Sequence, residues 1–163
     1  MLMTYDSMGQ NRTYKYFSEL QYDMVKLYQF NGETEFDFIA HNMLCDTSLI
    51  DVQDNWAHSV SKENKLISRK DITELFSVIK IFGKDKSTGD PKGCYIPRVS
   101  IVFFKKDDVI AHIDVCLECN KFMLEIFERN LKGKKIKFYI EPSTMGNKTR
   151  IFFKKMFVKY GVS

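Results

Sequence analysis

The residues that usually punctuate or staple a chain are scarce here. Three prolines and eight glycines in 163 residues exclude collagen-like and low-complexity classes. Four cysteines are too few for a disulfide scaffold at this length. No stretch approaches the ~18 uninterrupted apolar residues of a membrane span. The start, Met1-Leu2-Met3-Thr4-Tyr5-Asp6, has neither the basic n-region nor the apolar h-region of a secretory leader. These absences predict a soluble, cytoplasmic protein with free thiols, and they set membranes aside as a partner. Also missing are G-x-x-x-x-G-K-[ST], G-x-G-x-x-G, H-E-x-x-H and G-x-S-x-G. Nucleotide hydrolysis, dinucleotide chemistry, zincin proteolysis and serine hydrolysis lose their cheapest support, so an enzyme is the lesser expectation.

What is present is apolar and aromatic. The apolar set is 44% of the chain, with 14 Phe and 8 Tyr, which is enough to bury a core and excludes disorder. The length suits one domain, since domains run at about 100 to 200 residues. The formal charge of +4 is unevenly spread. Beyond residue 130 there are nine bases and one acid, Glu141, which leaves 16 bases and 20 acids in the first 130 residues. An acidic body with a basic end raises the expectation of an anionic partner.

Residues 1–12 are polar and irregular and are expected to be flexible. From Thr13 to Phe30, the apolar residues Tyr14, Phe17, Leu20, Met24, Leu27 and Tyr28 recur at helical spacing, and Asn31-Gly32 closes a predicted helix. Phe36 and Phe38 alternate in a short strand over Glu35–Ile39, followed by a loop-rich stretch with Cys45, Trp56, His41 and His58. Ser68-Arg69-Lys70-Asp71 has the form of a helix cap with an acid three residues on, opening a second helix to Phe82. Residues 83–93, with three Gly and a Pro, form a surface loop.

Strands are expected over Cys94–Phe104 and Val109–Leu117, joined by Lys105-Lys106-Asp107-Asp108 as an antiparallel hairpin. In the second strand Val109, Ala111, Ile113, Val115 and Leu117 alternate with His112, Asp114 and Glu118, so the polar set reads as a solvent face. Phe122, Ile126, Phe127 and Leu131 predict a third helix or a helical turn closed by Gly133. Ile136, Phe138 and Ile140 predict a third strand, and Phe153, Met156, Phe157 and Tyr160 a C-terminal helix ended by Gly161. The fold class is α+β (or α/β), a single domain with a central sheet of at least three strands packed by three or four helices.

Three groups of residues carry chemistry. Cys116-Leu-Glu-Cys119 is a C-x-x-C pair, able to grip a metal or form a redox disulfide, and Cys94 with a histidine would complete a zinc set. The alternative is buried thiols acting as small hydrophobes, with no cofactor. His112 and Asp114 could serve a Cys116 nucleophile as base and orienter. Residues two apart on a strand are already about 6.6 to 6.8 Å apart, however, so a direct bond from Cys116 to His112 is too long. Lys134, Lys135, Lys137, Lys154 and Lys155, with Phe138, Tyr139, Phe152 and Phe153 among them, have the composition of a single-strand nucleic-acid binder. The rings are also needed as buried faces, which ranks that reading third.

The stretch Cys94-Tyr-Ile-Pro-Arg-Val-Ser-Ile-Val-Phe-Phe, then Ile113-Asp-Val-Cys-Leu-Glu-Cys and Ile151-Phe-Phe-Lys-Lys-Met-Phe-Val-Lys-Tyr-Gly-Val, resembles a group of uncharacterised small bacterial proteins. They share a C-x-x-P-R element, a two-strand hairpin, a C-[FL]-x-C ending and a short aromatic helix. The chain departs from them at Val99, where the group tends to carry His, at Phe104, where it tends to carry Tyr, and in the turn. The resemblance implies no activity. By analogy, small bacterial domains without a catalytic signature serve as immunity partners of secreted toxins. The leading expectation is therefore a non-enzymatic protein that binds another protein, in the form of a toxin inhibitor. Asp107, Asp108, His112, Asp114 and Glu118 would be the contact residues, since nuclease inhibitors present acidic faces. A metal-binding or thiol-active protein using Cys94, Cys116 and Cys119 comes second.

Overall fold

The computed structural model describes residues 14–30, 60–79, 98–129 and 135–162. Within them the chain forms β1 (Met24–Phe30), β2 (Val60–Leu66), α1 (Arg69–Ile79), β3 (Val99–Lys105), β4 (Asp108–Cys116), β5 (Lys121–Arg129), β6 (Lys135–Thr144) and α2 (Asn147–Tyr160). Residues 14–18 are helical. The strands make one antiparallel sheet in the order β2-β1-β3-β4-β5-β6. The architecture is α+β, a single domain.

Register explains the core. Leu27, Ile101, Ile113 and Leu124 are directly paired across β1, β3, β4 and β5, a row of aliphatic side chains at most 1% exposed. Each fully buried side chain of this size is worth about 1.5 to 3 kcal/mol. The helices close over this face: Ile72, Leu75 and Ile79 of α1, and Phe152, Phe153, Met156 and Phe157 of α2, join the same cluster. Phe17 from the helical segment lies edge-on to Phe103 at 5.0 Å and contacts Phe76 at 5.4 Å.

The other face of the sheet is buried as well. Tyr28, Val102, Phe104, Val109 and Phe127 form a second apolar cluster there. A bulge places Phe104 opposite Val109 after Phe103 opposite Ala111. Val109 thereby leaves the face of Ala111 and Ile113, so the unbroken alternation expected from the sequence ends at Ile110.

The start of α1 and the end of α2 are formed as their sequences require. Ser68 Oγ accepts the Asp71 N–H at 3.2 Å and donates to its carboxylate, which caps α1. Gly161, at φ 66°, closes α2 by donating to the Val158 carbonyl, while the Val162 N–H reaches the Phe157 carbonyl. The two helices are tied together by Asp71, which receives Lys159 Nζ at 2.7 Å and the Tyr160 hydroxyl.

Two predicted helices are strands. The first, over Thr13–Phe30, is helical only at 14–18 and becomes β1, because Met24, Lys26 and Tyr28 point to one buried face and Val25 and Leu27 to the other. The third, from Phe122 to Leu131, is β5 for the same reason: Phe122, Leu124 and Ile126 face the helices while Met123, Glu125 and Phe127 are buried opposite. The strand over Glu35–Ile39, the loop at 83–93, Cys45, Trp56, His41, His58, Cys94 and Pro97 lie outside the described residues.

Candidate functional site

β4 carries the unusual side chains of the second face. Glu125 of β5 sits directly opposite His112, and Asp114 lies two positions along the same strand, opposite Ser100 of β3. His112 is therefore held at both ring nitrogens. Its Nδ1 is 3.0 Å from Asp114 Oδ1 and its Nε2 is 2.9 Å from Glu125 Oε2. All three side chains are at most 2% exposed, and the ring stacks on Phe127 at 5.7 Å.

Burial alone would lower the His112 pKa, but the Asp114 charge and the hydrogen bonds to both carboxylates outweigh it and raise the pKa to about 9. At neutral pH the ring is an imidazolium that donates twice. A ring with both nitrogens protonated has no lone pair for a metal and cannot act as a base. The solvent face expected for His112 and Asp114 is thus a buried ion cluster, because the sheet is covered on both sides. Asp114 does orient His112, as the nucleophile reading required, but the second nitrogen points to Glu125 and not to Cys116. Among the described residues, no group of three or more His, Cys, Asp or Glu side chains could hold a metal ion.

One further alternation along β4 reaches Cys116, which is bonded to Cys119 as a disulfide, with the Cα atoms 5.3 Å apart. This corrects the expectation of free thiols: in the disulfide the pair cannot serve as the two thiolates of a zinc site. The turn 116–121 that carries the bond is fixed by other contacts. Cys119 N–H donates to Cys116 Sγ at 3.0 Å. Asn120, in the left-handed region at φ 54°, accepts the Met145 N–H at 2.9 Å and donates its side-chain amide to the Met145 carbonyl. Arg150 of α2 donates to the Leu117 carbonyl at 3.2 Å. Among the described residues, two buried polar atoms here, Asn120 Oδ1 and Arg150 Nε, have no hydrogen-bond partner.

The other sequence candidates are dispersed. Asp107 is exposed and Asp108 half-buried at the β3–β4 turn, while Glu118 is exposed at the β4–β5 turn, at the far end of a nine-residue strand, roughly 30 Å away by strand rise. Lys154 and Lys155 are exposed on α2. Lys134 and the side chains of Lys135 and Lys137 lie outside the described residues. Glu125, Asn120 and Arg150 are site residues that motif and spacing do not reveal. Glu125 becomes visible once 121–129 is read as a strand paired with 111–116.

No family model, curated protein or solved structure matches the chain.

Proposed function

We propose that the chain carries out thiol–disulfide exchange through Cys116 and Cys119, with a protein dithiol as the other reactant. The observation that carries this reading is a C-x-x-C disulfide seated in a turn whose shape is maintained by Asn120, Met145 and Arg150. A four-residue loop is among the shortest a disulfide can close. Chain entropy assigns such a loop only about 2 kcal/mol, against about 3 for fifteen residues. β4 and β5 are already paired over six residues, so the bond adds little to the fold and its opening disrupts little.

The chemistry balances with the atoms in place. A partner thiolate attacks Sγ of Cys119, the less enclosed of the two at 8% exposed against 0%. The S–S bond breaks, its electron pair leaves on Cys116, and a mixed disulfide forms at Cys119. The Cys119 N–H aimed at Cys116 Sγ stabilises the leaving thiolate. The partner's second thiolate attacks the partner sulfur of the mixed disulfide and Cys119 leaves. The partner is oxidised by two electrons, the chain is reduced by two, and the two protons released by the partner thiols are available to the new thiolates.

Alkylation and mass measurement of native protein, after equilibration with a thiol–disulfide buffer, tests the reading. Cys116 and Cys119 are expected to open and close together without denaturant. In the reverse direction the Cys119 thiolate attacks a partner disulfide and Cys116 resolves the mixed disulfide. Cys116→Ser is therefore expected to trap the oxidised, disulfide-bearing form of the partner protein at Cys119, and Cys119→Ser to trap none. A bond that resists excess dithiol in the folded protein refutes the proposal. The toxin-inhibitor reading has less support, because His112 and Asp114 are buried and the remaining acids of its contact set lie at opposite ends of β4.

A further inference from the structure

α2 holds five bases, Lys148, Arg150, Lys154, Lys155 and Lys159, and no acid in 14 residues. Its inner face is committed to the core through Thr149, Phe152, Phe153, Met156 and Phe157. At 3.6 residues per turn, the centre of the outward face falls on Ile151 and Val158, seven positions apart. These two aliphatic side chains are 52% and 81% exposed. Lys154 flanks them on one side and Lys148 and Lys155 on the other, all exposed.

A partner helix would pack along positions three, four and seven apart. The positions between Ile151 and Val158 that it would bury are Lys154 and Lys155, so a helical partner fits poorly. Single-stranded nucleic acid stacks on exposed rings, but Phe152, Phe153 and Phe157 are buried and Tyr160 is bonded to Asp71. An anionic lipid surface suits both halves of the pattern. Ile151 and Val158 can enter the acyl boundary, while the lysine stems follow them and leave the ammonium groups among the headgroups. We propose that the outer face of α2 docks the protein on an anionic lipid surface, lying in the interface plane. This needs no membrane-spanning segment, and among the described residues no helix is long and apolar enough to cross a bilayer. The proposal is independent of thiol exchange.

Co-sedimentation of the full chain with vesicles of phosphatidylcholine alone, or with added phosphatidylserine, decides it. Binding is expected only to the serine-containing vesicles and is expected to vanish at about 1 M salt, where the Debye length falls to about 3 Å. Lys154→Ala with Lys155→Ala should weaken it roughly 30-fold, the equivalent of about 1 kcal/mol per lysine. Ile151→Ser with Val158→Ser should weaken it several-fold. All four positions are exposed, and unchanged circular dichroism and melting temperature establish that each variant is folded. Equal binding to both vesicles, no binding to the anionic ones at low salt, or an unchanged lysine variant overturns the proposal. So does tighter binding to duplex DNA or to an acidic polypeptide than to the anionic vesicles.

Discussion

Stability should fall as pH rises through the neutral range, and one residue should account for it. His112 is buried between Asp114 and Glu125, its ring facing Phe127 and its register partner being Val102. Its folded pKa is raised from 6.5 to about 9. A raised pKa means that the folded state holds the proton more tightly than the unfolded chain. The stabilisation is therefore complete below about 6.5 and is lost as pH climbs through about 9. At about 1.4 kcal/mol for each tenfold gain in proton affinity, the whole effect is about 3 kcal/mol. Urea unfolding followed by far-ultraviolet circular dichroism at pH 6 and near pH 9.5 measures it. Other groups titrate in this window, so the comparison is with His112→Gln, which keeps a donor but cannot carry the charge. The gap in unfolding free energy between the two proteins should shrink by about 3 kcal/mol from the lower to the higher pH. Imidazole nitrogen shifts should show both His112 nitrogens protonated at pH 7.5. A gap that stays constant, or a ring that titrates at or below 6.5, refutes the account of the cluster as an imidazolium between two carboxylates.

Other perturbations test the packing. Phe103 is fully buried and meets Phe17, Tyr22 and Phe76; Phe103→Ala should cost about 3 to 5 kcal/mol in chemical denaturation. A loss below 1 kcal/mol would mean that this aromatic contact is absent in solution. Asp71 feels burial, which raises its pKa, against hydrogen bonds from Lys159, Ser68 and Tyr160 and the Lys159 charge, which together hold it down at about 2. Its contribution is present above pH 4 and is lost as pH falls towards 2. Asp71→Asn keeps the backbone bond to Ser68 but loses the charge that receives Lys159, Ser68 and Tyr160, and should lower stability at pH 6 by about 1 kcal/mol, the order of one hydrogen bond. Thermal unfolding should show that difference closing on acidification, and a difference that persists at pH 2 counts against the ionised Asp71 as its source.

The elements legible in the sequence were those whose residues serve a single requirement. Ser68 and Asp71 announce α1 because a cap depends on neighbours in the chain. The β3–β4 hairpin is visible because β4 alternates Ala111, Ile113 and Val115 with His112 and Asp114 beside a short polar connection, and α2 because one side of it meets solvent. β1 and β5 were hidden, since a strand buried on both faces loses its alternation and chance spacings such as Phe17, Leu20, Met24 and Leu27 mimic a helix. β2, Val-Ser-Lys-Glu-Asn-Lys-Leu, has no apolar pattern at all and is a strand by virtue of pairing with β1. The site divides in the same way. The C-x-x-C spacing marked Cys116 and Cys119 as reactive but left thiol, metal and disulfide open. The polar positions of β4 are found by alternation, but their burial depends on what covers the sheet. Glu125 is separated from His112 by 13 residues and joins it only through register.

The two ends of the sheet restrict how the protein meets others. An outer strand with an uninterrupted row of free N–H and C=O groups invites another chain to extend the ladder. At one margin β2 places three charged residues within seven, a composition that discourages such addition. At the other, β6 contains Pro142, which has no N–H to offer, beside the register irregularity opposite Phe122 and Leu124. Both margins are thus poor templates for a seventh strand. A protein caught in a mixed disulfide at Cys119 would be met at the tip of the β4–β5 hairpin, end-on, and would be released when the sulfur bond exchanges because no ladder of main-chain bonds retains it.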